Sequence, residues 1–262
     1  MKLSYISFEG GQKHLDWIGL TEAFADGHNR PKAEIADTFL YRDPDTLLSR
    51  SAWIDGLGLA VKSATVFPQN PNRGAPMING AVSLFSDRSG ELEALVDFHL
   101  VTKWKTAGDS LWAAKRLARP DSRNILIIGA GTVARSLRAA YAAGFPEARF
   151  TVWNRTRAKA EALAGGDERM QVADDLKAAV AQADIITSAT MSTTPLIRGC
   201  WLQAGQHVDL IGAYRPDMRE ADDDTLRRAR VFVDSYDTTL GHIGELKIPL
   251  ESGVIQRSDI LG

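Results

Sequence analysis

The 262-residue sequence predicts an α/β domain built on a parallel sheet, preceded by a mixed α+β domain. Two observations carry this. After Pro120, short apolar runs alternate strictly with helix-like segments, the pattern of parallel strands covered on both faces. Before Pro120 the chain reads as a helix followed by meandering strands. At roughly 100–200 residues per domain, the length accommodates both. The expected division is 1–118 for the first domain and 119–240 for the second, with 241–262 returning to the first.

In the first part, Leu15, Ile18, Leu20, Ala23 and Phe24 recur at roughly helical spacing, which predicts a helix over 12–26. Strand-like runs follow at 51–54 and 57–67, and then a hairpin of 81–85 with 92–96. Its turn, Asp87-Arg88-Ser89-Gly90, places Gly where a positive φ is wanted. Pro68, Pro71, Gly74 and Pro76 mark an irregular loop. Residues 99–118 read as a helix with Leu100, Val101, Trp104, Ala107, Leu111 and Leu117 mostly on one side. In the second part the expected strands are 124–128, 150–154, 170–173, 184–190, 207–212 and 231–235. The expected helices are 132–143, 157–164, 174–181 and 222–229.

Apolar residues at 44% and charged ones at 24% exclude collagen-like, low-complexity and disordered chains. Lys+Arg at 31 against Asp+Glu at 33 leave a net charge of −2, so no global basic field exists to hold nucleic acid. The densest basic run, Arg227-Arg228-Ala229-Arg230, follows Asp222-Asp223-Asp224 and reads as a solvated helix with an acidic start and a basic end. No apolar run approaches the ~20 residues of a membrane span. The segment Met1-Lys2-Leu3-Ser4-Tyr5 lacks an apolar signal region, so a cytoplasmic protein is expected. The single cysteine, Cys200, rules out an intrachain disulfide, fits a reducing compartment and reads as structural. Five histidines and this cysteine show no metal-ligand spacing, and no G-x-S-x-G elbow marks a nucleophile.

The first strand of the second part, Ile125-Leu126-Ile127-Ile128, runs directly into Gly129-Ala130-Gly131-Thr132-Val133-Ala134. A G-x-G-x-x-G/A pattern at the first strand-to-helix turn of such a series is a dinucleotide fingerprint of the Rossmann type. Gly129 permits the tight turn, Gly131 lets the backbone approach a pyrophosphate, and Ala134 keeps helix and sheet close. The helix N-terminus at Thr132 and Val133 supplies N–H groups to the phosphates. An NAD site places an acid about 20 residues on, against the ribose 2′-OH. Here Asn154-Arg155-Thr156 stands instead, and Arg155 suits a 2′-phosphate with Thr156 adding a hydroxyl. NADPH is therefore favoured, with NADH the alternative. Arg157 is either a second contact or a solvated helix-start residue. Thr190, Met191 and Ser192 fall at the carboxyl edge, where the nicotinamide ribose is expected, although Met191 reads equally as core.

Further stretches resemble the ornithine cyclodeaminase/mu-crystallin family. They are Val61-Lys62, Phe67-Pro68-Gln69-Asn70, Gly74-Ala75-Pro76, Gly80, Thr102-Lys103-Trp104-Lys105-Thr106-Ala107 and Gly212-Ala213-Tyr214-Arg215-Pro216-Asp217-Met218-Arg219-Glu220, in the family's order. The resemblance implies a homodimer whose first domain supplies the dimer contact and the substrate floor. It also implies further helical chain after Ser258-Asp259-Ile260-Leu261-Gly262. Within the family, cyclodeaminases carry an Asp where this chain has Tyr214, so the ketimine reductase branch is the better match. Its implied chemistry is reduction of a cyclic imino acid, Δ1-pyrroline-2-carboxylate to L-proline or Δ1-piperideine-2-carboxylate to L-pipecolate. The alternatives are deamination of ornithine and a non-enzymatic NADPH-dependent binder like mu-crystallin.

Such a reduction needs cations for the carboxylate and a proton for the ring nitrogen. Arg50, Lys62 and Lys105 stand at family-like positions, Lys105 where the family usually has Arg. Arg50 and Lys105 are candidate carboxylate clamps. Lys62, on a buried-looking strand, is a candidate substrate ligand or acid, since burial lowers a lysine pKa. The plainer readings are a surface Arg50, a solvent-facing Lys62 and an i,i+4 pair of Lys105 with Asp109. Tyr214 either touches substrate or packs beside the nicotinamide. His242 and Glu245 are candidates for a general acid, with a structural role the competing reading.

Overall fold

The computed structural model describes residues 3–262, so Met1 and Lys2 of the amino-terminal segment lie outside the described residues. The chain forms two compact units, one up to Asp109 and one from Ser110. The first contains β1 (Ser4–Ile6), α1 (Phe8–Gln12), α2 (Trp17–His28), β2 (Glu34–Arg42), β3 (Asp45–Ile54), β4 (Gly58–Val66), β5 (Ile78–Phe85) and β6 (Leu92–Asp97). The division falls inside α3 (Phe98–Leu117), whereas the sequence suggests a boundary after it.

The six strands order as β1-β6-β5-β4-β3-β2, antiparallel except for β1 beside β6. Cross-strand register places Asp37, Arg50, Lys62, Val82 and Val96 in one row, hence on one face. Buried Ala64, Val82, Val96 and Phe98 make this the packed face. It admits Phe98 because β5 has Gly80, where a Cβ would stand 2.6 Å from the Phe98 ring and 2.1 Å from the Ser63 carbonyl oxygen. Farther along α3, Trp104 lies against Trp17 with ring centroids 4.0 Å apart, and Gly108 leaves room for Leu20 and Phe24 of α2. On the opposite face Leu40, Leu47 and Trp53 are exposed, and Leu59, Val61 and Phe85 line a shallow apolar hollow with Trp53.

Two first-unit expectations are corrected. The helix predicted over 12–26 begins at Trp17, because Asp16 caps it by accepting the Gly19 N–H at 2.8 Å. The nine-residue strand β2 has no counterpart in the sequence reading. It is an edge strand with apolar residues on both faces, Ile35 and Phe39 on one and Ala36 and Leu40 on the other, so its alternation is lost.

The second unit runs β7 (Asn124–Ile128), α4 (Thr132–Gly144), β8 (Arg149–Trp153), α5 (Arg157–Ala164), β9 (Met170–Val172), α6 (Leu176–Gln182), β10 (Ile185–Ser188) and β11 (His207–Leu210), then α7 (Asp223–Arg228), α8 (Tyr236–Thr239) and α9 (Gly244–Glu251). All five strands are parallel, in the order β11-β10-β7-β8-β9. Chain order reverses between β7 and β10, the kind of switch point at whose carboxyl edge ligands bind in such sheets. Ile125–Ile128, Ile185 and Ile186 are almost fully buried, which accounts for their unbroken apolar runs. The strand expected at 231–235 is absent: Val231 makes only a bridge to Ile260 and joins a separate core with Leu226, Leu240, Leu246 and Ile255. That core also takes up the segment after residue 241. No helix among the described residues is long and apolar enough to cross a membrane.

Gly80→Ala should destabilise the first unit by about 1–3 kcal/mol, since the Ser63 carbonyl is backbone and gives way poorly. Urea denaturation monitored by tryptophan fluorescence measures this; an unchanged midpoint would refute the close packing of Phe98.

Candidate active site

In the first unit the three sequence-predicted cations come together. Arg50 and Lys62 are register partners on β3 and β4. Both Lys105 of α3 and Arg50 act electrostatically on Lys62. Lys62 points its Nζ over the Phe98 ring, 4.9 Å from the centroid, and has no hydrogen bond or ion pair among the described residues. Burial, followed by repulsion from Lys105 and Arg50, lowers its pKa to about 8. Lys62 is therefore no solvent-facing strand residue.

Its neighbours are more engaged. Asp37, which sequence reasoning missed with β2, takes a bidentate bond from Arg50: Nε at 2.7 Å and Nη2 at 2.5 Å. This orients the guanidinium and cancels part of its charge. Lys105 lies 3.2 Å from Asp109, the i,i+4 pair that its spacing allows, with half of its side chain exposed. Within the same motif, Lys103 donates to Gln12 and Trp104 packs in the core. The 3.6-residue period thus sends nearby lysines to different surroundings.

In the second unit the dinucleotide turn has the predicted shape. Gly129 adopts φ +108°, and a Cβ there would stand 2.8 Å from the Ala189 carbonyl oxygen, so no other residue fits. Gly131 is the N-cap of α4, makes no side-chain cap, and a Cβ on it would meet nothing within 4 Å. The first N–H groups of α4, at Thr132 and Val133, thus face an open approach, while Ala134 is fully buried. These features fit a dinucleotide pyrophosphate.

Beyond β8, Asn154 donates through Nδ2 to the Thr156 carbonyl at 2.9 Å and shapes the turn. Arg155 is exposed and without a partner among the described residues. Arg157 is paired instead with Glu161 and Asp174, which makes it an ion-paired helix-start residue. Past the end of β10, Met191 is 54% exposed and so is not core. Tyr214 is partly exposed, and burial raises its pKa.

The same edge holds two buried carboxylates. Glu220, quoted in the sequence motif without a role, accepts bonds from Ser188 Oγ, Thr190 N, Thr190 Oγ1 and Gly212 N at 2.5–2.7 Å. Burial raises its pKa against these four donors. Glu245 accepts the backbone N–H groups of Glu220 at 2.6 Å and Ala221 at 3.1 Å, and burial lifts its pKa to about 7. Of the two candidate acids near the chain's return, Glu245 is thereby a backbone clamp, and His242 lies in the turn between α8 and α9. No signal of spacing foretells the carboxylate contacts, because most of their partners lie on distant segments.

The family model of the ornithine cyclodeaminase/mu-crystallin family matches residues 53–260. The Delta(1)-pyrroline-2-carboxylate reductase of Paracoccus denitrificans is 49% identical over 98% of this chain and 83% of its own length. Ketimine reductase mu-crystallin of Mus musculus is 36% identical over 72% of this chain and 60% of its own. The structure of Thermococcus litoralis Delta(1)-pyrroline-2-carboxylate reductase with NADH and L-proline superposes with a TM-score of 0.89 at 27% identity, covering 98% of this chain and 84% of that one. With this span of matched residues and these relatives, the chain belongs to the ornithine cyclodeaminase/mu-crystallin family.

Proposed function

We propose that the protein reduces a cyclic imino acid at the expense of NADPH, taking Δ1-pyrroline-2-carboxylate to L-proline and the six-membered homologue to L-pipecolate. The observation that carries this is Lys62: a half-buried ammonium without a carboxylate, flanked by two further cations, which calls for an anionic substrate. The Paracoccus relative, named as a reductase of this substrate, and the Thermococcus structure with NADH and L-proline support the reading.

A bound reduced nicotinamide supplies the hydride that adds to the imine carbon. Lys105 and Arg50 hold the substrate carboxylate, the latter oriented by Asp37. Lys62 keeps a proton at neutral pH yet releases it more readily than an ordinary lysine, and provides it to the ring nitrogen. A protonated C=N accepts hydride and becomes CH–NH, a secondary amine. Gly129, Gly131, Thr132, Val133 and Ala134 hold the pyrophosphate, and Thr190 and Met191 border the nicotinamide ribose. Asn154, Arg155 and Thr156 receive the adenosine ribose, with Arg155 on the 2′-phosphate. Tyr214, in place of a carboxylate, leaves no base for removing a proton from an amino acid's amine. The exposed apolar face of the first sheet, with Leu40, Leu47 and Trp53, is the contact of a homodimer. The one cysteine suits the reducing cytoplasm, where we place the activity.

Three outcomes are expected. Loss of reduced-nicotinamide absorbance with Δ1-pyrroline-2-carboxylate should be faster with NADPH than with NADH, and Arg155→Ser should raise KM for NADPH alone by about ten- to a hundredfold. No oxidation with either cofactor would overturn the reductase reading. Because the active form of Lys62 is protonated, kcat/KM should fall as pH rises through about 8. Lys62→Met should lower kcat/KM by about 10²–10⁴ and abolish that alkaline limb; a limb that survives in the variant belongs to another group. Trp53→Arg should shift the protein from dimer to monomer in analytical ultracentrifugation, and a wild-type monomer would contradict the assigned face.

A further inference from the structure

Strands β10 and β11 lose their mutual ladder after the bond from Ile211 N to the Ser188 carbonyl at 3.0 Å. Beyond that point the side chain of Glu220 bridges them. Oε1 of Glu220 takes Ser188 Oγ at 2.5 Å and both donors of Thr190 at 2.7 Å, while Oε2 takes Gly212 N at 2.6 Å. Glu220 is completely buried. The joint is tight: a Cβ on Gly212 would stand 2.1 Å from the Thr190 carbonyl oxygen and 2.6 Å from Glu220 Oε2. It also abuts the dinucleotide turn, since a Cβ on Gly129 would lie 3.4 Å from Thr190 Cγ2.

An apolar filler would join two strand ends at lower cost than a buried carboxylate. What the carboxylate adds is direction, because it fixes two backbone N–H groups and two hydroxyls around one point. An amide would not substitute, for its NH2 would face a donor on either side. The main chain of Glu220 is gripped in turn: Glu245 of α9 accepts its N–H, and its carbonyl accepts Leu196 N at 2.8 Å and Ile197 N at 2.9 Å.

We propose that Glu220 is a positioning residue for the nicotinamide half of the cofactor: it sets the Thr190 and Gly212 backbones at the carboxyl edge, and Glu245 holds it in place. This rests on the cofactor assignment made above. Glu220 has no part in holding the adenosine half, which belongs to the turn after β7 and to Arg155.

The test compares NADPH with adenosine 2′-phosphate 5′-diphosphate, which lacks the nicotinamide riboside, by isothermal titration calorimetry. In Glu220→Gln the dissociation constant for NADPH should rise about tenfold while that for adenosine 2′-phosphate 5′-diphosphate stays unchanged. In turnover, kcat should fall with KM for the imino acid unchanged. Ser188→Ala, which removes one donor and little volume, should shift NADPH binding in the same direction by less, and it decides the matter if Glu220→Gln does not fold. Equal weakening of both ligands in either variant would make the carboxylate a general support of the unit and overturn the proposal, as would unchanged NADPH binding. Failure of the wild type to bind either ligand would instead remove the cofactor assignment, and the proposal with it.

Discussion

Charge held away from water without an opposite charge beside it is the constraint around which both units are arranged. In the first, Lys62 sits over Phe98 with two cations as its electrostatic neighbours. In the second, Glu220 is enclosed by hydroxyl and backbone donors that carry no net charge. Left alone, either group would be neutralised or expelled. The fold retains them by different means. Lys62 stays partly exposed and shifts its pKa to about 8, whereas Glu220 is fully buried and has four donors. The first arrangement leaves an electrostatic demand for an anion, and the second satisfies its demand internally and so stiffens its surroundings.

The cofactor turn works by the opposite device, the removal of atoms. Gly129 sits at a positive φ against the Ala189 carbonyl, and Gly131 leaves the start of α4 open. Unpaired N–H groups at a helix start are a liability in a closed core and an asset beside a phosphate. The open turn and the edge held by Glu220 are neighbours at the switch point between β7 and β10. One leaves space for a ligand, and the other keeps the border of that space in one conformation.

How much of this is legible in the sequence depends on the range over which each feature is encoded. The strand-turn-helix around Gly129 is local, as are Ala134 and the Asn154-Arg155-Thr156 turn, so residue order alone locates them. Lys62 and Lys105 are legible through family-like motifs, yet their mutual influence requires β4 and α3 to be placed. Asp37 escaped because β2 lies at an edge with apolar residues on both faces and shows no period of two. The segment 231–235 misled for the converse reason: its apolar residues are buried in a small satellite core, which a sheet-like composition does not distinguish from a strand.

Contiguous residues are enough to establish the order of helices and strands from β7 to β11 and the dinucleotide turn. The partnering of charged groups is of another kind and arises with the packed fold. Arg50 with Asp37, Arg157 with Asp174, and Glu220 with Ser188, Thr190 and Gly212 join residues far apart in the chain or on separate elements. The burial of Glu220 and Lys62 exists only once their elements have packed, and burial is what turns an ordinary carboxylate or ammonium into one with a defined task.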